Sequence, residues 1–258
     1  MNQTTLRLPA RATKPRNAGL TMVLDDGLPL RTLGDMIDSA GDFIDLVKFG
    51  WGTALVSREL SSKVEVLQER EIDFYFGGTL FEKHVLQRRF DEFRALCQEY
   101  GCTRVEVSNG TVTMSNHEKA DYIRKLAPDF TVISEVGFKD PTRSEELMPK
   151  RWIEYICEDL DAGASLVTLE SRESGRSGIC RSDGQLRIGL IEELLGGELT
   201  VNQLMFEAPT TTLQAYFVRR VGSDVNLGNV AANDVIPLET LRLGLRSDTL
   251  TVFEGAVR

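Results

Sequence analysis

Asp25, Glu106, Glu135, Glu170 and Glu207 each close a short apolar run, and Lys48, Lys139 and Arg172 stand at comparable places. Gathered on one rim, five carboxylates could not all stay ionised without cations, which a divalent metal or those three bases could supply. Oxygen donors without His or Cys suit Mg²⁺ rather than zinc. The alternative is that several of these acids merely pair with the lysines and the arginine. Lys48 also has the placement of a Schiff-base lysine. His84 and His117 are the only histidines, and both read as helix-capping or surface residues. Trp51 reads as a pocket wall or as core.

Glycines form a second pattern. Gly50, Gly52, Gly77, Gly78, Gly110, Gly137, Gly175 and Gly228 all follow apolar runs. Small residues let backbone N–H groups approach a phosphate, although each alone is also an ordinary turn residue. Asn226-Leu227-Gly228-Asn229 is the favoured phosphate loop if the fold is a barrel, where the last two strands commonly hold phosphate. The chain has no Walker loop, no dinucleotide fingerprint and no nucleophile elbow.

The elements that would position these residues alternate. Apolar runs at 20–24, 43–48, 73–77, 104–107, 131–134, 165–169, 203–206 and 224–227 show little polar alternation, as expected of strands buried on both faces of a parallel sheet. Between them lie segments of helical period. Residues 81–100 put Phe81, Val85, Phe90, Phe93 and Leu96 on one stripe, and 151–163 does the same with Trp152, Tyr155, Ile156 and Leu160. Gly101 and Gly163 are expected helix stops. Eight such units with no composition break predict an α/β chain folded as a single (β/α)₈ TIM barrel, over residues 17–258. An open doubly wound sheet is the alternative. Residues 1–16, with four basic residues and no acid, read as a loose N-terminal tail rather than a targeting peptide.

Composition narrows the function classes. A net charge of −9 argues against a general binder of nucleic acid or anionic membrane, though not against a small anionic substrate in a locally basic pocket. No apolar run approaches the roughly 20 residues of a membrane span. The four cysteines form no C-x-x-C pair and read as reduced thiols of a cytoplasmic protein.

Several blocks together resemble one known family. Gly19–Asp25 with Gly27-Leu28-Pro29, Asp45–Thr53, Gly77–Glu82, Ser108–Thr111, Ser134–Gly137, Arg172–Gly175, Phe206–Pro209, Val225–Asn229 and Ile236–Arg246 are similar to the motifs of phosphosulfolactate synthases. They span about residues 14 to 250 in the family's order. Ser171 departs from the pattern, since a small apolar residue is expected there. The resemblance implies a (β/α)₈ barrel and Mg²⁺-dependent addition of sulfite to phosphoenolpyruvate. The product would be (R)-2-phospho-3-sulfolactate, on a route to coenzyme M. It also leaves open a different nucleophile or phosphorylated enol, or a non-catalytic relative such as the plant heat-stress proteins.

That chemistry assigns roles. Attack on the methylene carbon generates an enediolate that needs fixed cations, then a proton donor. Lys139 is the expected acid, its pKa lowered by desolvation and crowding cations, and Lys48 the electrostatic clamp. Asp25, Glu106, Glu135, Glu170 and Glu207 supply the candidate Mg²⁺ ligands. Arg172, Asn226, Gly228 and Asn229 are assigned to phosphate, assisted by Ser174 and Gly175. A homo-oligomer is expected from apolar residues on the outer helices.

Overall fold

A computed structural model describes residues 5–254. Eight parallel strands form: β1 (Thr21–Asp25), β2 (Leu46–Phe49), β3 (Asp73–Phe76), β4 (Arg104–Val107), β5 (Thr131–Val136), β6 (Ala164–Leu169), β7 (Leu204–Glu207) and β8 (Leu227–Val230). Their order, β3-β2-β1-β8-β7-β6-β5-β4, joins the first strand to the last. Helices follow the strands and cover the outside, which makes the chain a single, nearly closed (β/α)₈ barrel. Among the described residues no helix is long and apolar enough to cross a membrane.

Side-chain parity organises both faces of the sheet, because successive residues of a strand point to opposite sides. Met22, Leu46, Tyr75, Ile133, Leu166 and Met205 fill the barrel interior. Their neighbours Val23, Val47, Phe74, Val132, Val167 and Phe206 point outward into the larger core under the helices. Burying each such side chain is worth about 1.5–3 kcal/mol, so the register is strongly fixed.

β3 and β4, the two ends of that order, meet without a strand ladder among the described residues. Side chains close the joint instead. At the amino ends Asp73 accepts from Arg104 Nε at 2.8 Å and from Thr103 Oγ1 at 3.0 Å. At the carboxyl ends the buried Glu82 accepts from the backbone N–H groups of Gly110, Thr111 and Val112 at 2.9–3.0 Å, and from the Ser108 hydroxyl.

Three expectations need correction. The stripe over 81–100 is two helices, Gly78–Leu86 and Phe90–Glu99. The first ends in a left-handed cap at Arg88 (φ 58°), where Arg88 N–H reaches Val85 O and Arg89 N–H reaches His84 O. β8 starts at Leu227, three residues later than expected at 224, because 222–225 forms a turn whose carbonyls at Ser223 and Val225 are bound by Arg242. The N-terminal segment is anchored over its described part. Arg11 pairs with Glu239 at 2.9 Å and Asp224 at 2.8 Å, and Arg16 with Asp45 at 2.8 Å, under the amino ends of the strands. Residues 1–4 of that segment lie outside the described residues.

Candidate active site

Inward parity carries Lys48, Glu106, Glu135 and Glu207 to the carboxyl end of the barrel, and the chain just beyond β5 and β6 adds Lys139, Glu170 and Arg172. These side chains line one cavity of about 340 Å³. Lys48 Nζ stands 3.0 Å from Glu106, 3.3 Å from Glu135 and 3.4 Å from Glu207. Lys139 Nζ pairs with Glu135 at 2.9 Å and with Glu170. Glu135 therefore bridges the two ammonium groups. Backbone donors complete the ring: Ser171 N–H to Glu207 at 2.9 Å, Arg172 N–H to Glu170 at 2.6 Å, and Gly78 N–H to Glu106.

Burial alone would lower both lysines, but the carboxylates outweigh it. Glu106, Glu135 and Glu207 hold Lys48 well above the ordinary lysine value, and Glu135, Glu170 and Glu207 do the same for Lys139. This reverses the direction expected for Lys139, because anions crowd it rather than cations. It also disfavours a Schiff base at Lys48, because the surrounding carboxylates favour its ammonium form. Burial, opposed by Lys48 and reinforced by Glu135, pushes the Glu106 carboxyl up to about 7. Burial with Glu135 and Glu207 raises Glu170 well above the carboxylate range. Glu135 falls below it, since Lys139 and Lys48 overcome its own burial. Four carboxylates thus face two ammonium groups, and the surplus, together with burial, is what raises Glu106 and Glu170.

Asp25 does not join the ring. Met22 and Leu24 point inward, so Asp25 points out, where it pairs with Lys63 at 2.7 Å and caps the N–H groups of Gly27 and Leu28 at 2.8 Å. With its oxygens so engaged, it stands apart from the four acids that line the cavity. Asn226 lies at the amino end of β8, tying Leu20 N–H to the carbonyls of Asn202 and Leu204. Gly228 sits inside the barrel, where a Cβ would stand 2.8 Å from Met22 Cε and 3.1 Å from Met205 Sδ. Neither lies on the cavity lining. Asn229 does line the cavity, 93% buried, with its Oδ1 unpartnered. Arg172 lines it too, and its buried Nε has no partner. Ser174 is exposed, and Gly175 packs toward Leu213, outside the cavity lining.

The rim glycines make room for neighbouring side chains. A Cβ on Gly77 would press on Lys48 at 3.2 Å, one on Gly78 would strike Ser108, and one on Gly110 would crowd Gly137 O and Lys139. Trp51 lines the mouth, half-exposed. The histidines stay outside: His84 Nδ1 contacts Leu80 O, and His117 pairs with Glu158.

Sequence reasoning passed over the supports behind the ring. Lys119 is fully buried, pairs with Asp159 at 2.7 Å and donates to Glu135 O at 2.9 Å. A signal existed: Lys119 shares a helix stripe with Ala120, Ile123 and Leu126, and Lys63 shares one with Leu60, Val64 and Leu67. A charge on an apolar stripe must find a buried partner.

The family model for (2R)-phospho-3-sulfolactate synthase (ComA) matches residues 9–248. The chain belongs to the phosphosulfolactate synthase family. The phosphosulfolactate synthase of Bacillus subtilis is 48% identical over 249 residues, 96% of this chain and 99% of that protein. That of Methanothermobacter thermautotrophicus is 39% identical over 254 residues, covering 97% and 98%. Among solved structures, 3-hexulose-6-phosphate synthase from Salmonella typhimurium superposes with a TM-score of 0.54 at 16% identity, over 88% of this chain and all of that one. At that identity the likeness concerns the barrel alone. Ser171, where the family resemblance leads one to expect a small apolar residue, is fully buried and braces Glu207 through its N–H and its hydroxyl.

Proposed function

We propose that this barrel adds sulfite to phosphoenolpyruvate, giving (R)-2-phospho-3-sulfolactate. The observation that carries the reading is the Lys48–Glu135–Lys139–Glu170 chain of contacts on the wall of a cavity sized for a three-carbon phosphoacid. The sulfur lone pair forms a bond to the methylene carbon, and the alkene electron pair moves into the carboxylate as an enediolate. Lys139 Nζ then delivers a proton to the neighbouring carbon as those electrons return. A proton relayed through Glu135 and Glu170, the carboxyl groups that contact Lys139, restores it. Lys48 stays charged and offsets the enediolate. Arg172 takes the phosphate with its buried Nε, which lacks a protein partner, and Asn229 assists from the cavity wall by donating its side-chain NH₂.

Magnesium fits the donor set: four carboxylates, Glu106, Glu135, Glu170 and Glu207, face two ammonium groups without imidazole or thiolate. Among the described residues no three acids stand ready as a coordination site, and lysines or backbone N–H groups contact each of the four. When bound, the ion would stabilise negative charge on the substrate carboxylate. The free thiols suit a cytoplasmic enzyme, and exposed Leu55, Val56 and Leu86 suit a homo-oligomer. The product would enter a sulfonate route such as that to coenzyme M.

Incubating the protein with phosphoenolpyruvate, sulfite and Mg²⁺ tests the reading. An acid-stable sulfonate of the adduct mass is expected. No adduct with any divalent metal, while the protein is folded, would defeat it.

A further inference from the structure

The excursion after β6 makes two contacts that converge on the Lys139–Glu170 pair. Ser177 is fully buried and donates its hydroxyl to Phe138 O at 2.6 Å, one residue before Lys139. Its neighbour Gly178 adopts φ 62° and leans on Glu170 so closely that a Cβ would lie 1.7 Å from Glu170 O and 3.1 Å from Glu170 Cβ. Ile179 N–H then donates to the same Glu170 carbonyl at 2.8 Å. On the other side of Glu170 stands Gly137 (φ 124°), where a Cβ would come 2.7 Å from Glu170 Cβ. Glu170 is therefore held in a slot between two glycine backbones. The turn is fixed from behind by Arg187, which donates to Gly178 O at 3.1 Å, Ser144 O at 2.7 Å and Leu147 O at 3.0 Å.

We infer that the turn Ser177-Gly178-Ile179 is a positioning element for the reaction, registering Lys139 and Glu170 against each other on the cavity wall. One short segment touches the chain beside the ammonium and the backbone of the carboxyl partner. A shift of the turn therefore moves the two relative to one another. Sequence spacing hides this, since 177–179 lies far from 138 and carries no charge. The inference rests on Lys139 acting as the proton donor.

Ser177→Ala removes one buried hydroxyl and adds no bulk, whereas Gly178→Ala forces the turn away from Glu170. Lys139→Met is the reference. Steady-state kinetics with phosphoenolpyruvate and sulfite, calorimetric binding of phosphoenolpyruvate and thermal unfolding would be measured on all three. Misplacing a reacting group by about 1 Å costs on the order of 100-fold in rate. The expected result is kcat lowered about tenfold in Ser177→Ala and about 100-fold in Gly178→Ala. KM and phosphoenolpyruvate affinity should change less than about twofold, since the turn touches neither Arg172 nor Asn229. If Gly178→Ala does not fold, Ser177→Ala alone decides. Wild-type kcat in folded Ser177→Ala, or a loss confined to KM, would overturn the inference while Lys139→Met remains inactive. Wild-type turnover in Lys139→Met would instead remove the proton-donor reading itself.

Discussion

Replacing Lys48 by Met would strip three buried carboxylates of their shared cation. Its ammonium lies 3.0–3.4 Å from Glu106, Glu135 and Glu207, and its side chain is 8% exposed. Removing one partner of a buried ion pair costs about 3–5 kcal/mol. In a domain of this size each kcal/mol shifts Tm by about 2–4 °C, so a fall of roughly 6–20 °C is expected near pH 8 without divalent metal. The pH dependence has a definite sign. Glu106 already has a folded pKa of about 7, above its ordinary value, so its contribution to stability is full below the unfolded pKa and fades as pH rises through the folded one. Losing Lys48 raises the carboxyl values further, and the variant's folded state binds more protons than the wild type's. The deficit must therefore shrink as pH falls from 8 toward 5. Thermal unfolding followed by circular dichroism at several pH values reads both effects. A Tm within about 2 °C of wild type at pH 8, or a deficit that grows on acidification, would refute the charge accounting.

Other perturbations separate support from contact. Asn226→Ala should cost about 1–3 kcal/mol in chemical denaturation with KM unchanged, whereas Asn229→Ala should raise KM for phosphoenolpyruvate about tenfold and leave stability near wild type. Equal KM effects would contradict the reassignment. Arg11→Ala should cost about 2 kcal/mol by urea titration, because it leaves Glu239 unpaired under the barrel; an unchanged midpoint would return the segment to the status of a tail. Chelation should abolish sulfonate formation and added Mg²⁺ should restore it; activity persisting after exhaustive chelation would remove the metal from the reading.

The barrel was legible because six of its strands, β1 to β3 and β5 to β7, carry apolar residues on both faces, a pattern that survives without any partner sequence. The acids Glu106, Glu135, Glu170 and Glu207 were legible because strand ends converge in such a barrel. Asp25 was misread for a reason parity exposes: it lies an odd step from inward Met22 and Leu24, so it had to face the helices. Asn226 and Gly228 were misread because Asn and Gly signal loops, and here they belong to the start of a strand and to a narrow barrel interior. The Lys119–Asp159 brace was not legible as a pair, since its members lie on separate helices and only packing brings them to β5.

Among the described residues seven of the eight joints around the barrel are zipped by backbone ladders, and the remaining one is laced through side chains. Such lacing can be altered by point substitution, whereas a ladder cannot. The acid that fastens its upper end, Glu82, also sets the course of Gly110 and Thr111 past the cavity. Wear at that stitch would reach the reacting groups before it reached the rest of the wall, and amide exchange should be fastest along the same line.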